Sequence, residues 1–134
     1  MVKLAEAHGV VLQMELFNSI VDHPDYMADS SRWGIELARA LNSPSFKLLY
    51  DIYHMQIMEG NLVANIKENH QWYGHYHVAG VPGRNEPWEA QEINYPAVMA
   101  AIESTGFNGY VALEYLFTTN KKESMARSFT EFIR

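Results

Sequence analysis

The chain has 134 residues, 48% apolar and 13% aromatic, with a net charge of −6 that includes ten Lys and Arg. These figures fit one folded domain over residues 1–134 rather than a disordered chain, and disfavour a surface built to grip nucleic-acid phosphates, though not a local cationic pocket for a small anion. Cysteine is absent, which rules out disulfides and thiolate metal sites. No apolar run approaches the roughly 20 residues that cross a bilayer, so no membrane partner and a cytoplasmic location are expected.

The opening "VKLAEAHG" reads as the end of a helix, with Gly9 just past its last turn. "VVLQMELF", Val10–Phe17, is a short apolar strand, and "NSIVDHPDYMADS" is the polar loop after it. In "SSRWGIELARALN", Trp33, Ile35, Leu37, Ala38 and Leu41 recur at near-helical spacing, with Asp29 or Ser30 as cap and Ser43-Pro44 as the stop. Phe46–Asp51 is the second strand, and "NLVANIKENHQ" the next helix, capped by Asn61. Trp72–Val78 is the third strand, ending in a Gly-Val-Pro-Gly loop that presents Arg84 and Glu86. "NYPAVMAAIESTG" has a helix cap in Asn94, Pro96 in the first turn and Gly106 at the close. Gly109–Leu116 is the fourth strand. A last helix, about Lys121–Ile133, sets Met125, Phe129 and Phe132 on one face.

Strand and helix thus alternate four times, the pattern of a parallel sheet with crossover helices. The expected fold is α/β of the TIM-barrel type, a half-barrel of about four parallel strands each followed by a helix. Successive strand residues point to opposite faces. Gln13 and Glu15 therefore share a face, as do Leu49 and Asp51, His75 and His77, and Ala112 and Glu114. In parallel α/β folds the C-terminal strand ends line one edge, where Glu15, Asp51, His77 and Glu114 would converge.

Three carboxylates gathered beside an imidazole repel one another and their pKa values rise unless a cation neutralises them. This sulfur-free donor set suits a divalent ion such as Mg²⁺ or Mn²⁺. His77 is then a ligand and His75 a supporting or barrel-lining residue, whereas His8, His23 and His70 read as surface. Taken singly, a strand-end Glu is more often a solvated terminus and Asp51 as readily a turn cap. Four of them in one structural position outweigh that bland reading. Arg84, just beyond the cluster, fits a role in anion binding.

"MELFNSIVDHPDYM", "LLYDIYHMQIMEGN", "GHYHVAGVPGRNEP", "QEINYP" and "GYVALEY" resemble the hydroxypyruvate isomerase family, within the xylose-isomerase-like (β/α)₈ barrels that also include ketose 3-epimerases. The resemblance implies metal ligation by Glu15, Asp51, His77 and Glu114, and proton transfer by Glu15 and Glu114. It also implies substrate contacts from His54 and Arg84. The implied reaction is isomerisation of hydroxypyruvate to tartronate semialdehyde through an enediolate. A ketose 3-epimerase, which needs no carboxylate-binding arginine, is the alternative. A catalytically incomplete half-barrel that binds metal and oligomerises is a third reading. An abasic-site endonuclease is disfavoured by the acidic charge.

Ile20 departs from the basic residue that such relatives often carry. A full barrel needs about 250 residues, so the chain is expected to supply its second half, starting within the helix before the fifth strand. Open strand edges and an apolar inner face would then drive homodimer or higher homo-oligomer formation.

Overall fold

A computed structural model describes residues 1–88 and 90–132, without the side chains of residues 131 and 132. Its centre is a four-stranded, wholly parallel sheet in the order β1-β2-β3-β4. The strands are β1 (Leu12–Glu15), β2 (Phe46–Asp51), β3 (Tyr73–Val78) and β4 (Tyr110–Leu113). Around them run α1 (Val2–Ala7), α2 (Ser31–Leu41), α3 (Ile52–Met58), α4 (Leu62–Asn69), α5 (Tyr95–Ser104) and α6 (Lys121–Phe132). This is the expected half TIM barrel, with strands in chain order. No helix among the described residues is long and apolar enough to cross a membrane.

One face of the sheet makes the core. Leu16, Leu48, Tyr50, Tyr76 and Val78 lose essentially all solvent contact beneath the helices, with Ile52, Met55 and Ile66 above them. Burying each such side chain contributes about 1.5–3 kcal/mol. Helix α2 lies close because Gly34 has no Cβ: one there would stand 2.9 Å from Leu16 Cδ2 and 3.0 Å from Leu48 Cδ1. Ser30 caps α2 by accepting from Trp33 N, and Asn94 caps α5 by accepting from Ala97 N.

Several expectations are corrected. The outer strands are shorter than their apolar runs, so Val10, Val11 and Leu116 lie outside them and are exposed. Helix α3 follows β2 directly. Its start is set by Asp51, whose Oδ1 accepts from His54 N at 3.1 Å, and it makes a helix of the "IYHMQIM" run, for which the sequence pattern predicts no element. Asn61 occupies the cap position of α4 in a left-handed conformation, φ 48°, without a side-chain cap bond. Leu41 is exposed rather than packed.

Helix α6 turns Ser124 and Ser128 inward and leaves Met125 and Phe129 exposed. Its buried side is a polar one, because Tyr115 Oη meets Ser124 Oγ at 2.8 Å and Ser128 Oγ at 3.0 Å. The side chain of Phe132 and all of Ile133 lie outside the described residues.

The inner face is not apolar. Register pairs Gln13 with Lys47, Glu15 with Leu49, Leu49 with His75, Asp51 with His77, and His77 with Ala112. Among the paired residues of this face, Gln13, Glu15, Lys47, Asp51, His75 and His77 are polar, against Leu49 and Ala112.

Candidate active site

The four strand-end residues meet. Glu15, Asp51, His77 and Glu114 each offer a ligand atom, and these atoms all lie within 4.8 Å of one another. Glu15 and Asp51 are the last residues of their strands, His77 is next to last in β3, and Glu114 sits one residue beyond β4. Glu114 is still held to the sheet, since its N–H donates to Val78 O at 3.0 Å. Around His77 Nδ1 stand Glu114 Oε2 at 3.0 Å, Glu15 Oε1 at 3.4 Å and Asp51 Oδ2 at 3.8 Å.

The electrostatics fit a cation position. Burial alone would lower the His77 pKa, but Asp51, Glu15 and Glu114 outweigh it and push it up to about 10. The imidazolium thus carries the positive charge that three carboxylates demand. Glu15 Oε1 and His77 Nδ1 are buried and lack a hydrogen-bond partner, a cost that ligation would remove. Oxygen and imidazole donors without sulfur match a hard or borderline divalent ion. These residues fit such an ion. His75 stands one layer deeper, its ring 5.1 Å from that of His77, and burial lowers its pKa.

Arg84 comes to the cluster from the β3–α5 loop. Nη2 donates to Asp51 Oδ2 at 3.3 Å and to Glu114 Oε2. Nη1 lies 2.7 Å from His54 Nε2, and the guanidinium covers the Tyr53 ring at 5.1 Å. Its backbone is left-handed, φ 55°, following Gly83 at φ 91° and the cis Val81–Pro82 peptide. A non-glycine residue held there costs about 1 kcal/mol or more.

Neighbouring contacts hold the turn. Gly80 N donates to Asn85 O at 2.7 Å, and Leu116 N donates to Arg84 O at 2.7 Å. Tyr95 of the "EINY" stretch braces the end of β3, its hydroxyl donating to Ala79 O at 2.6 Å.

Glu86 answers for the other charge in this loop, and it points away from the cluster. Its carboxylate accepts from Thr118 N at 3.0 Å, Thr118 Oγ1 at 2.7 Å and Ser124 Oγ at 3.1 Å, tying the loop to the start of α6. Desolvation raises its pKa, but these bonds prevail and hold it at about 2, below the usual 4.5. A carboxyl so depressed stabilises the fold above its unfolded value, and loses that contribution as pH falls from about 4.5 toward 2. Glu86→Gln is expected to cost about 1.5–3 kcal/mol at neutral pH. The deficit against the parent should shrink in strong acid. Urea unfolding of both proteins at neutral and acid pH measures it, and a deficit independent of pH would refute this account.

His54, at the start of α3, is wholly buried, and burial lowers its pKa to about 4. It therefore sits beside the cluster as a neutral imidazole. An open cleft of about 420 Å³ is lined by Glu15, Phe17, His23, Arg84, Glu114, Tyr115 and Leu116. His23 is half-buried rather than a free surface residue: its ring stacks on Phe17 at 4.3 Å and lies 5.3 Å from His54. It was detectable only by its place in the β1–α2 loop, which opens on the same sheet edge as the ligand set. His8 and His70 are exposed, as is Ile20.

A sequence profile of the family described as "Xylose isomerase-like TIM barrel" matches residues 1–134. A putative hydroxypyruvate isomerase of Homo sapiens is 36% identical over 118 residues, which cover 84% of this chain and 43% of that protein. A 2-oxo-tetronate isomerase of Pectobacterium atrosepticum is 34% identical over 108 residues, 81% of this chain and 40% of that protein. The chain thus spans about two fifths of these relatives' length.

Among solved structures, an AP endonuclease, family 2, from Brucella melitensis superposes with a TM-score of 0.89 at 28% identity. That match covers 97% of this chain and 50% of the other. A D-psicose 3-epimerase from Clostridium cellulolyticum, solved with D-tagatose, gives 0.75 at 25% identity, covering 85% and 38%.

Proposed function

The chain belongs to the xylose isomerase-like TIM barrel family, and from that membership we propose that it forms the C-terminal half of a metal-dependent aldose–ketose isomerase. Its substrate pair is hydroxypyruvate and tartronate semialdehyde. The observation that carries this reading is the convergence of Glu15, Asp51, His77 and Glu114 within 4.8 Å, with Arg84 beside them at the mouth of a cleft. The names of the similar isomerases support the reaction class.

Glu15, Asp51, His77 and Glu114 would hold Mg²⁺ or Mn²⁺. Bound there, such an ion supplies Lewis-acid stabilisation to negative charge developing on the substrate's carbonyl and hydroxyl oxygens. Glu15 and Glu114 border the same cleft. One of these carboxylates removes a proton from the hydroxymethyl carbon, and a proton returns to the former carbonyl carbon, while the hydroxyl proton moves between the two oxygens. Arg84 receives the substrate carboxylate, for which its planar fork is suited. His54, wholly buried with Nε2 2.7 Å from Arg84 Nη1, is the further substrate contact that the resemblance implies.

The ketose 3-epimerase alternative draws support from the D-psicose 3-epimerase likeness. Arg84 favours the acid, since a neutral sugar offers it no charge. The net charge of −6 disfavours a DNA substrate. The unpaired outer edges of β1 and β4, flanked by exposed Val10, Val11, Tyr110 and Leu113, support a homodimer.

The test is to assay hydroxypyruvate against ketohexoses, using the chain alone and joined to the N-terminal half of a relative, with Mn²⁺ and with chelator. Hydroxypyruvate turnover that chelator abolishes is the expected result. Epimerisation of ketohexoses without hydroxypyruvate turnover would replace this reading by the alternative. Mn²⁺ binding with turnover only in the joined protein would identify the chain alone as the catalytically incomplete half-barrel.

A further inference from the structure

The contact between Arg84 Nη1 and His54 Nε2, at 2.7 Å, joins two nitrogens. A guanidinium nitrogen only donates, so this is a hydrogen bond only if Nε2 carries no proton. The other side of the ring fixes where the proton is. Asn18 N–H points at His54 Nδ1 from 3.1 Å, and Asn18 Nδ2 stands 2.7 Å from the same atom.

The Asn18 amide has no freedom to turn round. Its Oδ1 accepts from Val21 N at 3.0 Å and Asp22 N at 2.9 Å, while its Nδ2 donates to Asp22 Oδ2 at 2.7 Å. A flipped amide would set NH₂ against two backbone N–H groups and its oxygen against a carboxylate. The backbone N–H of Asn18 donates in either orientation.

Nδ1 is therefore an acceptor from two directions, and in a neutral imidazole the proton then sits on Nε2. Two N–H donors consequently face each other, Nε2–H of His54 and Nη1–H of Arg84. Asp51 Oδ2 is 3.8 Å from Nε2, too far to serve as the acceptor. Phe17 and Tyr53 wall the ring, each centroid 5.1 Å away, and Asn18 and His54 are wholly buried. The ring cannot readily turn to escape the conflict. An acceptor placed between the two nitrogens removes it.

We propose that Asn18 is the positioning residue that holds His54 in its Nε2–H tautomer, so that His54 and Arg84 present paired N–H donors to one carboxylate of a small 2-oxo acid. The carboxylate, as occupant, rests on the isomerase reading above. The tautomer rests on the Asn18 contacts alone. A carboxylate accepts from both sides without bringing a donor of its own, whereas a sugar hydroxyl adds a proton that needs another acceptor.

The experiment is ¹⁵N NMR of the histidine-labelled full chain at neutral pH, with Asn18→Asp alongside. The unmodified protein should show His54 with a pyridine-type Nδ1 and a pyrrole-type Nε2. Asn18→Asp exchanges one of the two donors at Nδ1 for an acceptor and keeps the backbone N–H, so the Nδ1 resonance should shift part of the way toward the pyrrole type. Hydroxypyruvate affinity by calorimetry should then fall about tenfold. Mn²⁺ affinity should fall by less than the roughly tenfold that loss of a ligand's outer partner costs, since Asn18 bonds none of the four candidate ligands.

A pyrrole-type Nδ1 in the unmodified protein overturns the proposal, and that measurement needs no variant to fold. An Nδ1 resonance left unshifted by Asn18→Asp in a folded protein also overturns it. An Nε2–H ring in a protein that neither binds nor converts hydroxypyruvate, even when joined to an N-terminal half, overturns the carboxylate and the isomerase reading. It leaves the Asn18 assignment standing.

Discussion

Asp51→Asn is expected to weaken Mn²⁺ binding by more than about a hundredfold, the upper end of what losing an outer partner of a metal ligand costs, with the fold intact. Asp51 is the one wholly buried member of the cluster. Its two oxygens do different work. Oδ1 starts α3 by accepting from His54 N at 3.1 Å, which asparagine does about as well. Oδ2 faces the cluster, 3.8 Å from His77 Nδ1 and 3.3 Å from Arg84 Nη2.

In the variant an NH₂ group takes the Oδ2 position, a donor aimed at donors and unable to ligate. Calorimetric titration with Mn²⁺ reads the loss, and a thermal melt followed by circular dichroism verifies the fold. Unchanged Mn²⁺ affinity in a folded variant would place any metal elsewhere, and the proposed chemistry would lose its basis.

Glu114→Gln, assayed with hydroxypyruvate at saturating Mn²⁺ in the chain joined to an N-terminal half, should lower kcat by about 10²–10⁴-fold. Glu15→Gln should do the same. The amide keeps the shape and an oxygen donor but cannot take a proton from carbon. Both residues border the cleft, whereas Asp51 is buried behind them, an arrangement compatible with the proton-transfer role that the resemblance implies for the glutamates. Because the loss falls on a step rather than on binding, KM should change little. Near-parental kcat in both metal-saturated variants would refute proton transfer by these side chains.

Strand parity was enough to bring four side chains to one place. Alternation is local: two residues along a strand return to the same face whatever the surroundings, so Glu15, Asp51 and His77 could be assigned a side before any packing was known. Glu114 was assigned by the same rule although it lies just past β4. A backbone bond to Val78 O extends the sheet geometry by one residue. The rule failed where burial was inferred from apolar spacing alone. In α6 the residues at helical spacing, Met125 and Phe129, face out, because the neighbouring polar groups of Tyr115 and Glu86 select Ser124 and Ser128 instead.

The loops had no such period to read. Arg84 was legible as a cation near the strand ends, but its contacts with Asp51, Glu114 and His54 depend on a left-handed backbone, on the Gly80–Asn85 bond that closes its turn and on the bond from Leu116 N. Glu86, two residues on, turns the opposite way to bind Thr118 and Ser124. His23 looked like surface because nothing in "VDHPDY" states that the loop folds back against Phe17.

The order of elements, the parallel sheet and the side each strand residue occupies follow from short-range rules, in which backbone geometry repeats every two or 3.6 residues. The walls of the cleft, the meeting of Asn18 with His54 and the reach of Arg84 depend on partners about 30 or more positions distant. Contacts at such separation form only when the whole sheet has brought their loops together, and no local pattern in the chain encodes them.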